Sequence, residues 1–254
     1  MRSPLDGAVL VAAGALAGLV GSAGGITSLV SYPALLLVGL PALAATIANN
    51  VALVACWPGS ALSSAPELVG WARWLRSWCA VAAAGGAAGA LLLRCTPEHV
   101  FERVVPALVA AGSLALLFAP RLTSWRRGRG HGHGDGRAWL LAWLLPVSLY
   151  NGYFGAGAGV MTLTLMLLLV EQQLPVANAL KNMLVGAATL VSASIFALTG
   201  PVHWSAAACL ALGMFVGSNL GPRVTRRAPP DVLRPLIALL GLGLAFELLI
   251  RASW

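Results

Sequence analysis

Charge is what this sequence has least of. Of 254 residues only 9% are charged, eight of them acidic, and Lys181 is the single lysine beside fifteen arginines. A soluble domain carries roughly a quarter charged residues, so composition excludes an ordinary soluble fold. Paired cysteines are lacking too. Cys56, Cys79, Cys95 and Cys209 show no CxxC spacing and fall within or beside apolar stretches, as small packing residues do. No aspartate or glutamate occupies the centre of an apolar stretch, which argues against a carboxylate proton relay. A cleavable leader is not expected, because the first apolar stretch begins near Gly7 behind one arginine and runs straight into a glycine motif.

The same scarcity limits the alternatives. A formal net charge of +8 could suggest nucleic acid, but the arginines sit mostly in short loops, and the nine tryptophans lie mainly near segment ends, where indoles favour the membrane interface. No nucleic-acid partner is expected. An intramembrane hydrolase is the enzymatic rival. Its GxGD-like string, residues 132–135, lies in a polar stretch with no second intramembrane aspartate, and His99, His131, His133 and His203 all fall in loops or at segment ends, far from serving Ser22. No catalytic residue, metal site or cofactor is expected, the glycine-rich surroundings of His131 and His133 offering no preformed ligand geometry.

What the chain has in abundance is apolar runs, 59% of all residues. They cover roughly 7–22, 24–40, 43–65, 77–94, 103–119, 138–153, 157–171, 176–199, 204–221 and 232–250, several of them long enough to cross a bilayer. Between the two sets of five lies a polar, glycine-rich stretch, 121–137, with five arginines. The expected organisation is therefore a first transmembrane repeat over 1–120, a basic linker over 121–137 and a second transmembrane repeat over 138–254, in one integral membrane domain.

Sliding the second half back by 134 positions places Gly152 on Gly18, Gly155 on Gly21, Gly159 on Gly25, Leu174-Pro175 on Leu40-Pro41 and Val185 on Val51. An odd number of segments per repeat inverts the second copy, the architecture of many secondary transporters. The fold class expected is an all-α polytopic membrane protein of two inverted-topology repeats, about five helical segments each, with glycine-broken helix-turn-helix hairpins. Segments 7–40 and 138–171 are short enough to be either re-entrant or fully spanning. Arginine bias places the linker, the Arg73/Arg76 loop and the Arg223/Arg226/Arg227 loop on one side, expected to be cytoplasmic.

Two constellations carry the candidate site. GSAGG (21–25) and GAGAG (155–159) sit where one apolar segment gives way to the next. Glycine permits the dihedrals that break a helix, and half-helix N-termini at matching points of two inverted repeats can hold an anion. Gly24, Gly25, Gly157 and Gly159 are the candidates, against close packing through small residues as the alternative. The second constellation follows each Leu-Pro pair: Asn49 and Asn50 in the first half, Asn178, Lys181 and Asn182 in the second. An ammonium inside an apolar helix costs about 2.5–3.5 kcal/mol at its centre, so Lys181 reads as functional unless it snorkels to the interface.

The motifs YNGYFGAGAGVM (150–161), ANALKN (177–182), GPVHW (200–204) and GMFVGSNLGPRVTRR (213–227), with the first-half glycine pattern ending in Ala48-Asn49, resemble the sulfite exporter TauE/SafE family over nearly the whole chain. The first half departs more, having Asn49-Asn50 where many relatives show a Thr/Ser-Asn-Lys-like run. The resemblance implies movement, by export, of small sulfur oxyanions, organosulfonates or small carboxylates across the cell membrane, and brings Tyr153 of the first motif into the substrate-binding set. An anion-selective channel is the alternative, since channel and uniporter share a polar lining. A small anionic substrate and the lipid bilayer are the partners expected, with homo-oligomer formation left open.

Overall fold

A computed structural model describes residues 4–101 and 136–225, with 103–105, 107, 108, 110, 114 and 118 between them. Most of the 121–137 linker and all of the expected 232–250 segment lie outside the described residues.

The described chain is helical, with α1 (Pro4–Gly24), α2 (Thr27–Leu37), α3 (Ala42–Leu53), α4 (Cys56–Ser63), α5 (Ala72–Cys95), α6 (Gly136–Tyr153), α7 (Ala158–Leu169), α8 (Leu174–Thr199) and α9 (Trp204–Thr225). A 3-10 turn spans Ala65–Leu68, and no strand occurs among the described residues. Among the described residues five stretches are long and apolar enough to cross a membrane: Leu5–Gly24, Ala42–Ser63, Ala72–Cys95, Leu174–Thr199 and Trp204–Arg223.

The glycine runs break the chain where expected. Gly25 stands at φ +83° and donates its N–H to the Gly21 carbonyl at 2.6 Å, while Gly155 and Gly157 stand at +85° and +80°. This left-handed region admits glycine at little cost and ends a helix. The helices that follow, α2 and α7, have 11 and 12 residues. At 1.5 Å per residue each is about 17 Å long, a little over half the roughly 30 Å hydrocarbon core. The second member of each hairpin is therefore a half-length helix.

The 43–65 segment, read from hydropathy as one piece, divides into α3 and α4. Pro58 has no N–H to offer the Val54 carbonyl, and its ring crowds that oxygen. The chain tightens there into three-residue steps, with Val54, Ala55 and Trp57 donating to the carbonyls of Val51, Ala52 and Val54 at 3.1–3.3 Å. The equivalent α8 has no such proline and runs unbroken for 26 residues.

Small residues set the packing. Along α1 and α9 the backbones come so close that a β-carbon on Gly18 would enter the backbone of Met214, and one on Gly217 that of Ala15. α5 meets α6 in the same way, with Gly86 against Gly152. Such contact is the usual adhesive between helices where lipid removes the hydrophobic drive. The two halves are interleaved: α1 packs along α9, and α5 along α6. Large apolar side chains such as Leu37, Leu91, Trp139, Leu198 and Leu212 remain on the outside, as lipid-facing positions require.

Candidate functional site

The two helix breaks touch. A β-carbon on Gly25 would fall inside the backbone of Gly159 and Val160, and one on Gly159 would strike Gly25. Beside this contact lies a cavity of about 50 Å³, bounded by Gly21, Ser22 and Gly25 on one break and by Asn151, Gly155 and Gly159 on the other. Thr27 and Ser28, the first two residues of α2, face it, as does Gly159 in the first turn of α7. Neither helix start has a side-chain cap. Backbone N–H groups in a helix's first turn have no intrahelical acceptor, so both starts present donors and the positive end of a dipole, although the Ala158 N–H is taken by the Gly155 carbonyl at 3.2 Å.

Lys181 supplies the charge. It lies on α8 at 1% exposure, among the largest fully buried side chains, so it does not snorkel in this structure. Its Nζ donates to the carbonyls of Gly21 at 3.0 Å and Ser22 at 3.4 Å. Asn178 and Asn182 add Nδ2 bonds to the Ser22 carbonyl at 2.8 and 3.1 Å. One face of α8 thus caps the C-terminus of α1, where the dipole is negative and the Gly21 carbonyl also accepts from the Gly25 N–H. Lys181 and Asn182 at the same time line the cavity, and among the described residues no carboxylate does.

The structure brings Gly25, Gly159, Lys181 and Asn182 to one cavity and places the other sequence candidates elsewhere. Asn49 accepts from Ser31 Oγ at 2.6 Å and donates to Ser28 Oγ at 3.1 Å, tying α3 to the first turns of α2. Asn50 donates to the Thr46 carbonyl at 3.1 Å, leaving its buried Oδ1 without a partner. Gly24 faces open space, and Gly157 shapes the start of α7 without lining the cavity. Tyr153 donates to Thr96 Oγ1 at 3.3 Å and packs on Phe101, away from the cavity.

Sequence reasoning passed over Trp57, Ser60, Asn151 and Thr189, all on the cavity wall. Asn151 donates to Thr189 Oγ1 at 3.1 Å. Trp57 has its ring against Gly186, where any side chain would collide with the indole, and its buried Nε1–H meets no acceptor among the described residues. The signal was its position: Trp57 lies well inside an apolar segment, whereas the other tryptophans lie mainly near segment ends. A buried donor of this kind costs roughly 1–3 kcal/mol until something accepts from it.

Several curated proteins are similar to this chain along almost all of its length. A protein of Haemophilus influenzae named "Probable membrane transporter protein" is 25% identical over 259 residues, covering 97% of this chain and 96% of its own. The "Probable membrane transporter protein YfcA" of Escherichia coli K12 is 27% identical over 259 residues, 98% of this chain and 91% of its own. The "Probable membrane transporter protein ORF9" of a Sinorhizobium species is 26% identical over 243 residues, 95% and 92% of the two chains. No solved structure gives a significant match. The family described as "Sulfite exporter TauE/SafE" matches residues 8–248, a span that takes in both glycine breaks and Lys181, and the chain belongs to that family.

Proposed function

We propose that the chain is a membrane transporter that exports a small oxyanion, sulfite or a comparably small sulfonate or carboxylate, across the cell membrane, binding it in the Lys181 cavity. The observation that carries this reading is the convergence on one buried cavity of a single ammonium, two uncapped helix starts and an indole N–H without an acceptor. The Lys181 ammonium and the two helix starts favour negative charge there, and α8 caps the α1 carbonyls that would oppose it. Size narrows the ligand. About 50 Å³ exceeds the roughly 10–15 Å³ needed to admit a water molecule, which suits a small guest such as sulfite better than a bulky sulfonate. Export towards a positive outside needs no proton relay, because the membrane potential contributes about 2.3 kcal/mol per charge per 100 mV.

Alternating access by two inverted repeats fits the packing. Gly25 and Gly159, equivalent under the 134-residue shift, touch each other, as residues on a pseudo-twofold axis do. α1 on α9 and α6 on α5 are the same pairing with the halves exchanged. Arg73 of the first half and Arg137 at the linker's end line one groove, which supports a single arginine-rich side, the cytoplasmic one by the positive-inside tendency. A cysteine introduced at Gly132 should then be labelled from the cytoplasm; labelling only from outside would reverse the topology. A channel would give the same lining, but its unitary flux would exceed a transporter's turnover by orders of magnitude.

Trp57→Phe tests the site with little change of shape. The ring still covers Gly186, but the donor is gone. A hydrogen bond to a charged group contributes about 1.5–3 kcal/mol, so sulfite binding should weaken roughly 10- to 100-fold. Unchanged affinity in detergent-solubilised protein would remove Trp57 from the anion's shell.

A further inference from the structure

A second site lies at the starts of α5 and α6 and the end of α7. We propose that this groove binds an anionic phospholipid, its phosphate held by Arg73 and Arg137 and an acyl chain laid over its apolar floor.

The groove measures about 630 Å³, within the range of roughly 300–1,000 Å³ typical of ligand sites. Both arginines line it, and among the described residues no carboxylate does. Glu171, next in the chain to the lining residue Val170, is turned to its own backbone, accepting from the Gln173 N–H at 2.9 Å. The Arg137 guanidinium stands 6.0 Å from the centroid of the Trp78 ring, a cation–π contact that orders it without neutralising it. Trp78 is itself nearly buried and continues a ladder of indoles, Trp74 at 5.8 Å and Trp71 at 5.6 Å beyond it.

Depth and charge together select the occupant. Tryptophans at the first turns of a spanning helix mark the headgroup level, and here they share a groove with two cations and with the apolar Leu140 and Leu169. A soluble anion would use the arginines and leave the apolar wall idle. A zwitterionic lipid would bring a choline to a site already positive. Basic pockets between helices on the arginine-rich side are where acidic headgroups bind.

The test uses the purified, delipidated full-length chain in a neutral detergent. Phosphatidylglycerol should raise the midpoint of thermal unfolding by about 5 °C at saturating lipid, while phosphatidylcholine, inorganic phosphate and chain-free glycerophosphoglycerol should leave it within about 1 °C. The double variant Arg73→Gln, Arg137→Gln should need at least tenfold more phosphatidylglycerol for the same shift. Equal stabilisation by phosphatidylcholine would overturn the proposal, as would a full response to glycerophosphoglycerol or phosphate, or an unaltered response in the variant. Should the variant not fold, the wild type still decides. Phosphatidylglycerol brominated on its acyl chains should quench tryptophan fluorescence at lower concentration than brominated phosphatidylcholine, and equal quenching by the two would refute the site.

Discussion

Lys181→Gln should weaken sulfite binding by roughly 10- to 100-fold, from the 1.5–3 kcal/mol of a hydrogen bond to a charged group, and should nearly abolish flux at concentrations that half-saturate the wild type. The substitution isolates charge. A glutamine amide can still donate towards the Gly21 and Ser22 carbonyls, and Asn178 and Asn182 keep their own bonds to Ser22, so the capping of α1 should survive and the protein should fold. Asn182→Ala, which removes one uncharged donor from the same wall, should cost less than the loss of the ammonium. Normal transport by both Lys181→Gln and Lys181→Arg in liposomes would show that the ammonium serves only to cap α1.

The second large effect is on folding. Gly25→Ala forces a side chain into a left-handed residue, at about 1–2 kcal/mol, and drives its β-carbon into the Gly159 backbone, where overpacking adds about 1–3 kcal/mol. A helix start cannot swing away as a side-chain tip can. The midpoint of thermal unfolding should fall by roughly 5–15 °C. Gly159→Ala should behave similarly through the reciprocal clash alone. Gly24→Ala is the control, because nothing lies within 4 Å of its added carbon and the residue is helical; its midpoint should hardly move. Should Gly25→Ala melt together with Gly24→Ala, the close approach of the two breaks would be wrong.

Which of the adjacent glycines matters could not be read from the runs themselves. GSAGG and GAGAG announce a break, because no other residue is so tolerant of positive φ, but Gly24 and Gly25 look alike until the partner backbone is in place. The amides illustrate the same limit. Lys181 and Asn182 stand out as polar groups in an apolar helix, yet so do Asn49 and Asn50. The phase of α8 turns the first pair to the cavity, whereas Asn49 is engaged by Ser28 and Ser31 and Asn50 by its own helix.

Hydropathy also overstated helix length. The 24–40 run stays apolar through its loops, while the helix within it ends at Leu37, where Gly39 at φ +91° and the Leu40 bond to Leu35 close the last turn. The half-length of α2 follows from one glycine that an averaging window does not see. Pro58 was visible in the sequence, but its consequence was not: a tightened turn that brings Cys56 and Trp57 to the cavity wall needs the neighbouring Gly186 to give the indole room.

Flux of labelled sulfite from proteoliposomes, with the membrane potential clamped by potassium and valinomycin, tests the central claim most directly. Protein-dependent efflux that quickens when the outside is made positive, saturates with sulfite, and falls to the protein-free level in Lys181→Gln is the result expected of a small-oxyanion exporter built around this cavity. Retention of sulfite, and of small sulfonates and carboxylates, at every imposed potential in vesicles containing correctly folded protein would contradict it.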